Sequence, residues 1–249
     1  MWYTFVVFLV GILVGGVVNQ LGSDLPRRRS LTKPRCPYCG AERPWWQWVS
    51  VLAYLIGRPR CPSCGALVRS RRPLIEIGLG LVYAYLGLTF GPSPTALFYG
   101  IYTAILAIVL ITDLEHRLIL NAVTYPAVII GLIGSFFVRD VIWWSALIGG
   151  AIGLVFFFVA AVVGRAVFGA GALGGGDVKL AAFVGVITGY PLVIEAIVLT
   201  ILIGAAVSLL LLVTRVRSLR DHVPYGPFLV SGALVTLLWG YPIAAWFFV

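Results

Sequence analysis

Charge is what this sequence has least of: only 11% of its residues are Asp, Glu, Lys or Arg, and only nine of 249 are acidic. A soluble domain carries about one quarter charged residues, so this chain cannot build an ordinary water-facing surface. The alternation of apolar and polar residues that marks a membrane β-barrel is also missing. No repeat of 20–50 residues is present, which removes support for a solenoid or an inverted-repeat transporter. The first apolar run has no basic residue ahead of it and no small-residue cleavage site behind it. It reads as a retained span, with its N-terminus outside, and not as a signal peptide.

Apolar residues are what the chain has instead, at 61% of the total, with a mean hydropathy of +1.03. Runs of about 18–23 such residues can each cross roughly 30 Å of hydrocarbon as a helix. With no water to satisfy their backbone groups, they must be helices packed together. The expected fold is an all-α membrane protein of about eight transmembrane helices, near 2–20, 74–91, 95–113, 122–138, 141–164, 177–190, 192–213 and 226–247. Residues 1–20 form the first span, 21–73 a small cytoplasmic domain, and 74–249 the polytopic remainder.

The net charge of +9 would suit nucleic acid, but its distribution argues against that partner. Eleven of the 18 basic residues lie between Arg27 and Arg72, and most others sit in gaps between apolar runs. That pattern sets topology and contacts anionic membrane lipids. With residues 21–73 in the cytoplasm, the gaps holding Arg117, Arg165, Lys179, Arg215, Arg217 and Arg220 also fall inside, and Arg139 alone falls outside. Asp113, ending the third span, and Asp177, opening the sixth, then share the cytoplasmic face.

All four cysteines lie in the 21–73 insertion, as Cys36-Pro37-Tyr38-Cys39-Gly40 and Cys61-Pro62-Ser63-Cys64-Gly65. Two C-x-x-C pairs at this separation match a tetrahedral four-cysteine zinc site. The glycine after each pair suits a tight turn. A domain of some 50 residues gains from a metal staple, and four thiolates close the coordination sphere, making such a zinc structural. Redox dithiols and disulfides are the competing readings, the latter disfavoured in a cytoplasm. Trp45, Trp46 and Trp48 either form the domain core or rest on the membrane interface.

Asp113 sits in Thr112-Asp113-Leu114-Glu115-His116-Arg117 and Asp177 in Gly174-Gly175-Gly176-Asp177-Val178-Lys179. Ionisable groups at span ends are costly and default to a functional reading. Two neighbouring carboxylates share one proton, which suits general acid–base hydrolysis of a peptide bond by water. Glycines ahead of Asp177 let the chain open and approach a substrate backbone. Three plainer readings stand beside this one. Asp177 could cap the sixth helix, Asp113 could pair with Arg117, and the glycine run could bind phosphate, although no Gly-Lys-Ser/Thr follows it. His116 has no second metal ligand near it in sequence. Glu195 lies near the outer end of its span and reads as interfacial or packed.

These residues together resemble the type IV prepilin leader peptidase/N-methyltransferase family, over nearly the whole chain. Gly174-x-Gly176-Asp177-Val178-Lys179 resembles the family's G-x-G-D segment, and Asp113 through Asn121 its first aspartate and short loop. Asn19 and Pro26, Pro73-Leu74-Ile75-Glu76 and Val223-Pro224-Tyr225-Gly226-Pro227-Phe228 are similar to three further segments. The resemblance implies a bacterial inner-membrane aspartyl endopeptidase. Asp113 and Asp177 would be catalytic, and Gly174, Gly176, Lys179 and Glu76 would line the substrate or loop region. It would remove a basic leader from prepilins or pseudopilins, after a glycine, at the cytoplasmic membrane border. It also implies methylation of the new N-terminus from S-adenosylmethionine in bifunctional members. Three positions depart from the family pattern: Leu120 before Asn121, Gln47-Trp48-Val49-Ser50 for Glu-Asn-Ile-Pro, and Pro59 where glycine is usual. The last two fall in the methyltransferase half and leave that activity open. A non-catalytic zinc-knuckle scaffold for pilus or secretion assembly is the alternative from another class.

Overall fold

In a computed structural model of the chain, residues 2–28, 33–168, 173–214 and 224–248 are described; Arg215, Arg217, Arg220 and Val223, named above, lie outside them. Among the described residues the structure is helical, with β-pairing limited to two isolated bridges. The helices are α1 (Trp2–Arg28), α2 (Ser50–Leu55), α3 (Arg71–Phe90), α4 (Pro94–His116), α5 (Asn121–Gly134), α6 (Trp143–Phe168), α7 (Gly175–Thr188), α8 (Leu192–Val213) and α9 (Gly226–Phe248). Six of them, α1, α3, α4, α6, α8 and α9, are long and apolar enough to cross a membrane. This is a multi-pass membrane protein.

A helix stands at each of the eight expected places, with bounds that differ from the expected ones. α5 and α7 have 14 residues each, about 21 Å at 1.5 Å per residue, and are the two shortest of the eight apolar helices. α5 stops at Gly134, four residues before the expected end. α1 and α4 instead run on past their expected ends, to Arg28 and His116.

The chain divides into two compact units, Met1–Ile111 and Thr112–Val249. In the first, α1 packs along α3. The polar residues that should have ended α1 are absorbed by α3: Asn19 is buried, and its amide donates to the Arg72 carbonyl at 3.0 Å and to Glu76 Oε1 at 3.2 Å. The cysteine segment leaves α1 and returns at α3, with α2 resting on α3.

In the second unit, α7 is the central element and packs against α5, α6, α8 and α9. Its run Leu180 to Thr188 is buried except for Ala182, which explains why a helix this short is apolar on all sides. α6 and α7 touch backbone to backbone. A Cβ on Gly149 would fall on the Gly185 carbonyl oxygen, one on Gly185 on the Gly149 carbonyl, and one on Gly153 on the Ala181 carbonyl. Small residues at such contacts let membrane helices approach closely. The result fixes the axis of α7, and with it the helix start that carries Asp177.

Candidate active site and cysteine centre

Four chain segments meet at one end of the second unit: the last turn of α4 and the first turns of α5, α7 and α9. Asp113 lies in the last turn of α4 and is 5% exposed. Asp177 is the third residue of α7 and is 8% exposed. Both carboxylates are buried at this end of the unit, Asp113 against Gly226 and Asp177 against Gly174. In soluble surroundings two such acids would each seek a cation. Asp113 and Arg117 form no ion pair within 4.0 Å, and the Arg117 N–H donates to the Asp113 carbonyl at 2.8 Å.

The N-cap of α7 is Gly174, not Asp177. Asp177 still serves the helix start, since its Oδ2 accepts the Gly174 N–H at 3.1 Å, leaving its other oxygen free of that duty. Of the three glycines, Gly176 has no room for a side chain, because a Cβ there would lie 2.8 Å from Ile119 Cβ. At Gly174 a Cβ would lie 3.2 Å from the Asp177 carboxylate, and at Gly175 it would meet nothing. Gly176→Ala should therefore disturb the α4–α5 loop and lower activity at least tenfold, whereas Gly175→Ala should keep near-normal activity; a cleavage assay on both variants checks this.

Lys179 reaches back from α7 to α5. Its ammonium donates to Asn121 Oδ1 at 2.8 Å and lies 5.1 Å from the Tyr125 ring centre, a cation–π geometry. Sequence reasoning missed two neighbours. Gly226, the first residue of α9, packs on Asp113 so tightly that a Cβ would overlap Oδ2 and lie 3.0 Å from Cγ. Tyr225 stacks edge-wise with Phe228 and contacts Phe157, and burial with the Asp177 charge pushes its hydroxyl up from the usual tyrosine range. Both belong to the Val223–Phe228 segment, so the signal was present but carried no partner.

Glu76 takes a different place. It is fully buried in the first unit, where its carboxylate accepts the N–H groups of Ser50 (2.9 Å) and Val51 (2.7 Å) as well as the Asn19 amide. It thus ties the start of α2 to α3. Glu195 lies in the first turn of α8 with both carboxyl oxygens shielded.

The four cysteines converge. Their sulfurs lie within 4.8 Å of one another, with Cys36–Cys64 at 3.7 Å and Cys39–Cys61 at 3.8 Å. A tetrahedral site with bonds of about 2.3 Å requires sulfurs about 3.8 Å apart, so the group can hold a metal ion. A single cluster mixing both pairs is not the layout of two separate dithiols. The backbone N–H groups of Cys64 and Ser63 point at the Cys61 sulfur and stabilise its thiolate, the form that a metal needs. Gly40 and Gly65 sit at φ 74° and 72°, the left-handed region glycine adopts without strain. Gln47 is buried and its amide donates to the Arg58 and Arg60 carbonyls at 3.2 and 2.8 Å. Trp45 and Trp48 face outward, while Trp46 is half-buried.

Comparison with known proteins fits this architecture. Residues 100–209 match the type IV leader peptidase family and residues 9–90 the bacterial peptidase A24 N-terminal domain. A prepilin leader peptidase/N-methyltransferase of Burkholderia pseudomallei is 32% identical over 222 residues, covering 88% of this chain and 72% of the relative. Proteins of the same name from Bacillus subtilis and Pseudomonas aeruginosa are each 26% identical, covering 97% and 93% of this chain and 96% and 89% of theirs. No solved structure matches. With both segments matched in order and a relative 32% identical over 88% of its length, the chain belongs to the type IV leader peptidase family.

Proposed function

We propose that the protein is an aspartyl endopeptidase of the bacterial inner membrane that cleaves the leader of prepilins or pseudopilins at the cytoplasmic border. The observation that carries this reading is the pair of buried carboxylates, Asp113 and Asp177, at the joined ends of α4 and α7. One carboxylate accepts a proton from water as the water oxygen attacks the scissile carbonyl carbon. The other, protonated, donates to the carbonyl oxygen. Collapse of the tetrahedral species breaks the C–N bond and sends a proton to the leaving amine. No covalent enzyme intermediate forms.

Orientation follows the charge distribution, with 17 of 18 basic residues on the side assigned to the cytoplasm. The functional division is residues 1–20 as first span, 21–73 as the cysteine domain and 74–249 as the peptidase domain. Lys179 with Asn121, and Gly174 with Gly176, shape the approach to the aspartates. The cysteine centre, in this reading, holds zinc through Cys36, Cys39, Cys61 and Cys64; bound there, zinc supplies a structural cross-link between the two loops and no chemistry.

The relatives' double name makes N-methylation from S-adenosylmethionine the second reading. It is favoured by an undisturbed cysteine domain: Pro59 occupies the same structural position as Pro34, each accepting one closing backbone bond at 2.8 Å. Purified protein in proteoliposomes with a prepilin-like substrate tests both readings. Cleavage after the leader glycine supports the peptidase, and intact substrate contradicts it. Mass spectrometry of the new N-terminus, with S-adenosylmethionine present, decides methylation.

A further inference from the structure

The two loops of the cysteine domain are built alike. In each, the first cysteine N–H donates to the carbonyl five residues on: Cys36 to Ala41 at 2.8 Å, and Cys61 to Ala66 at 2.9 Å. The glycine after each pair donates back to that cysteine's carbonyl, Gly40 at 3.0 Å and Gly65 at 2.9 Å. A last bond closes each loop, from Arg43 N–H to the Pro34 carbonyl and from Val68 N–H to the Pro59 carbonyl. Isolated β-bridges Arg35–Glu42 and Arg60–Leu67 complete the match. Every position in one loop has its counterpart in the other.

One pair of counterparts breaks the chemical symmetry. Val68 is buried at 3% exposure, as an apolar residue should be, while Arg43 in the same place is buried at 8%. Burying a lone cation costs several kcal/mol unless an opposite charge meets it. The adjacent carboxylate does not do so, because Glu42 pairs with Arg35 at 3.5 Å. One guanidinium nitrogen of Arg43, Nη1, is shielded from solvent with no hydrogen-bond partner. Burial weakens the Arg43 charge, and the opposing influence comes from Cys36 and Cys61. These two are the buried cysteines; Cys39 and Cys64 are exposed.

We infer that Arg43 is the internal counter-cation of the four-cysteine centre, its buried guanidinium offsetting the charge of the thiolates of Cys36 and Cys61. Four thiolates around a divalent ion carry a net charge of about −2. Water screens the half of that charge at exposed Cys39 and Cys64. It does not reach the half at Cys36 and Cys61, and Arg43 supplies there what solvent cannot. One arginine in one loop is enough, which explains why Val68 keeps its ordinary apolar identity. This inference rests on the cluster being a metal centre.

The test compares zinc retention in the purified full chain for wild type, Arg43→Val, Arg43→Gln and Arg43→Lys. Arg43→Val copies the counterpart loop, and its closing bond and the bond from the Trp48 indole Nε1–H to the Arg43 carbonyl (3.1 Å) use only backbone atoms of residue 43. Wild type should carry about one zinc per chain. Arg43→Val and Arg43→Gln should lose it to a chromophoric chelator with affinity lowered about 10–100-fold, as when partners of metal ligands are removed. Arg43→Lys should lie close to wild type. The zinc-stripped variants should melt like zinc-stripped wild type, since the effect acts on the metal and not on packing. If Arg43→Val fails to fold, Arg43→Gln carries the comparison. Wild-type zinc retention in the neutral variants would overturn the role of Arg43 and leave the metal centre standing. Wild-type protein that binds no metal would overturn both.

Discussion

Asp113→Asn and Asp177→Asn, each made alone, should lower leader cleavage about a thousand-fold while the protein reaches the membrane at wild-type level. The magnitude follows from what general acid–base catalysis supplies, about 10²–10⁴-fold. Preserved level follows from local geometry. The helix-start bond from Gly174 N–H needs only an acceptor at position 177, and an asparagine oxygen provides one. Asp113 makes no ion pair with Arg117, so its amide leaves no cation stranded. This separates catalysis from the plainer readings of both residues. A helix cap or a structural pair would be spared by isosteric amides or would lower protein level. Immunoblotting of substrate and enzyme from the same membranes measures both quantities.

Gly149→Val and Gly185→Val should remove activity by another route, leaving both aspartates in place. Each new side chain would be driven into the facing backbone: Cβ alone at Gly185 would lie 2.6 Å from the Gly149 carbonyl carbon, and at Gly149 2.9 Å from Gly189 Cα. Neither helix can yield locally, because the obstacle is main chain. Overpacking of this kind costs about 1–3 kcal/mol and pushes α7 off α6. Since α7 carries Asp177, even about 1 Å of displacement should cost about 100-fold in rate. A lowered melting temperature in detergent together with lost cleavage is the expected pair of results. Unchanged melting and unchanged cleavage would mean that the α6–α7 contact does not position the site.

The long helices were legible in the sequence because hydropathy over about 20 residues is a strong signal. Their ends were less so. α1 outran its expected end because Asn19, which looks like a terminus in a linear reading, finds partners on α3. The shortness of α5 and α7 was not legible, because an apolar run cannot say whether it faces lipid or protein; α7 is buried by its neighbours. The cysteine cluster was legible from spacing, and the structure brings all four sulfurs together. Pro59 departs from the family pattern, and its equivalence to Pro34 in the other loop was hidden because it is set by hydrogen bonds and not by residue identity. Glu76 was singled out by its resemblance to a family segment, and only the fold shows that its carboxylate accepts from Ser50, Val51 and Asn19. Gly226 and Tyr225 could not be assigned from sequence, since only packing brings α9 to the aspartates.

The central claim, that Asp113 and Asp177 act as one unit, is tested most directly by single-turnover cleavage rates for Asp113→Asn, Asp177→Asn and the double variant. Residues that share one proton and one water fail together, so the double variant should be no slower than the slower single variant. A double loss equal to the product of the two single losses, or normal cleavage by either single variant, would contradict the account.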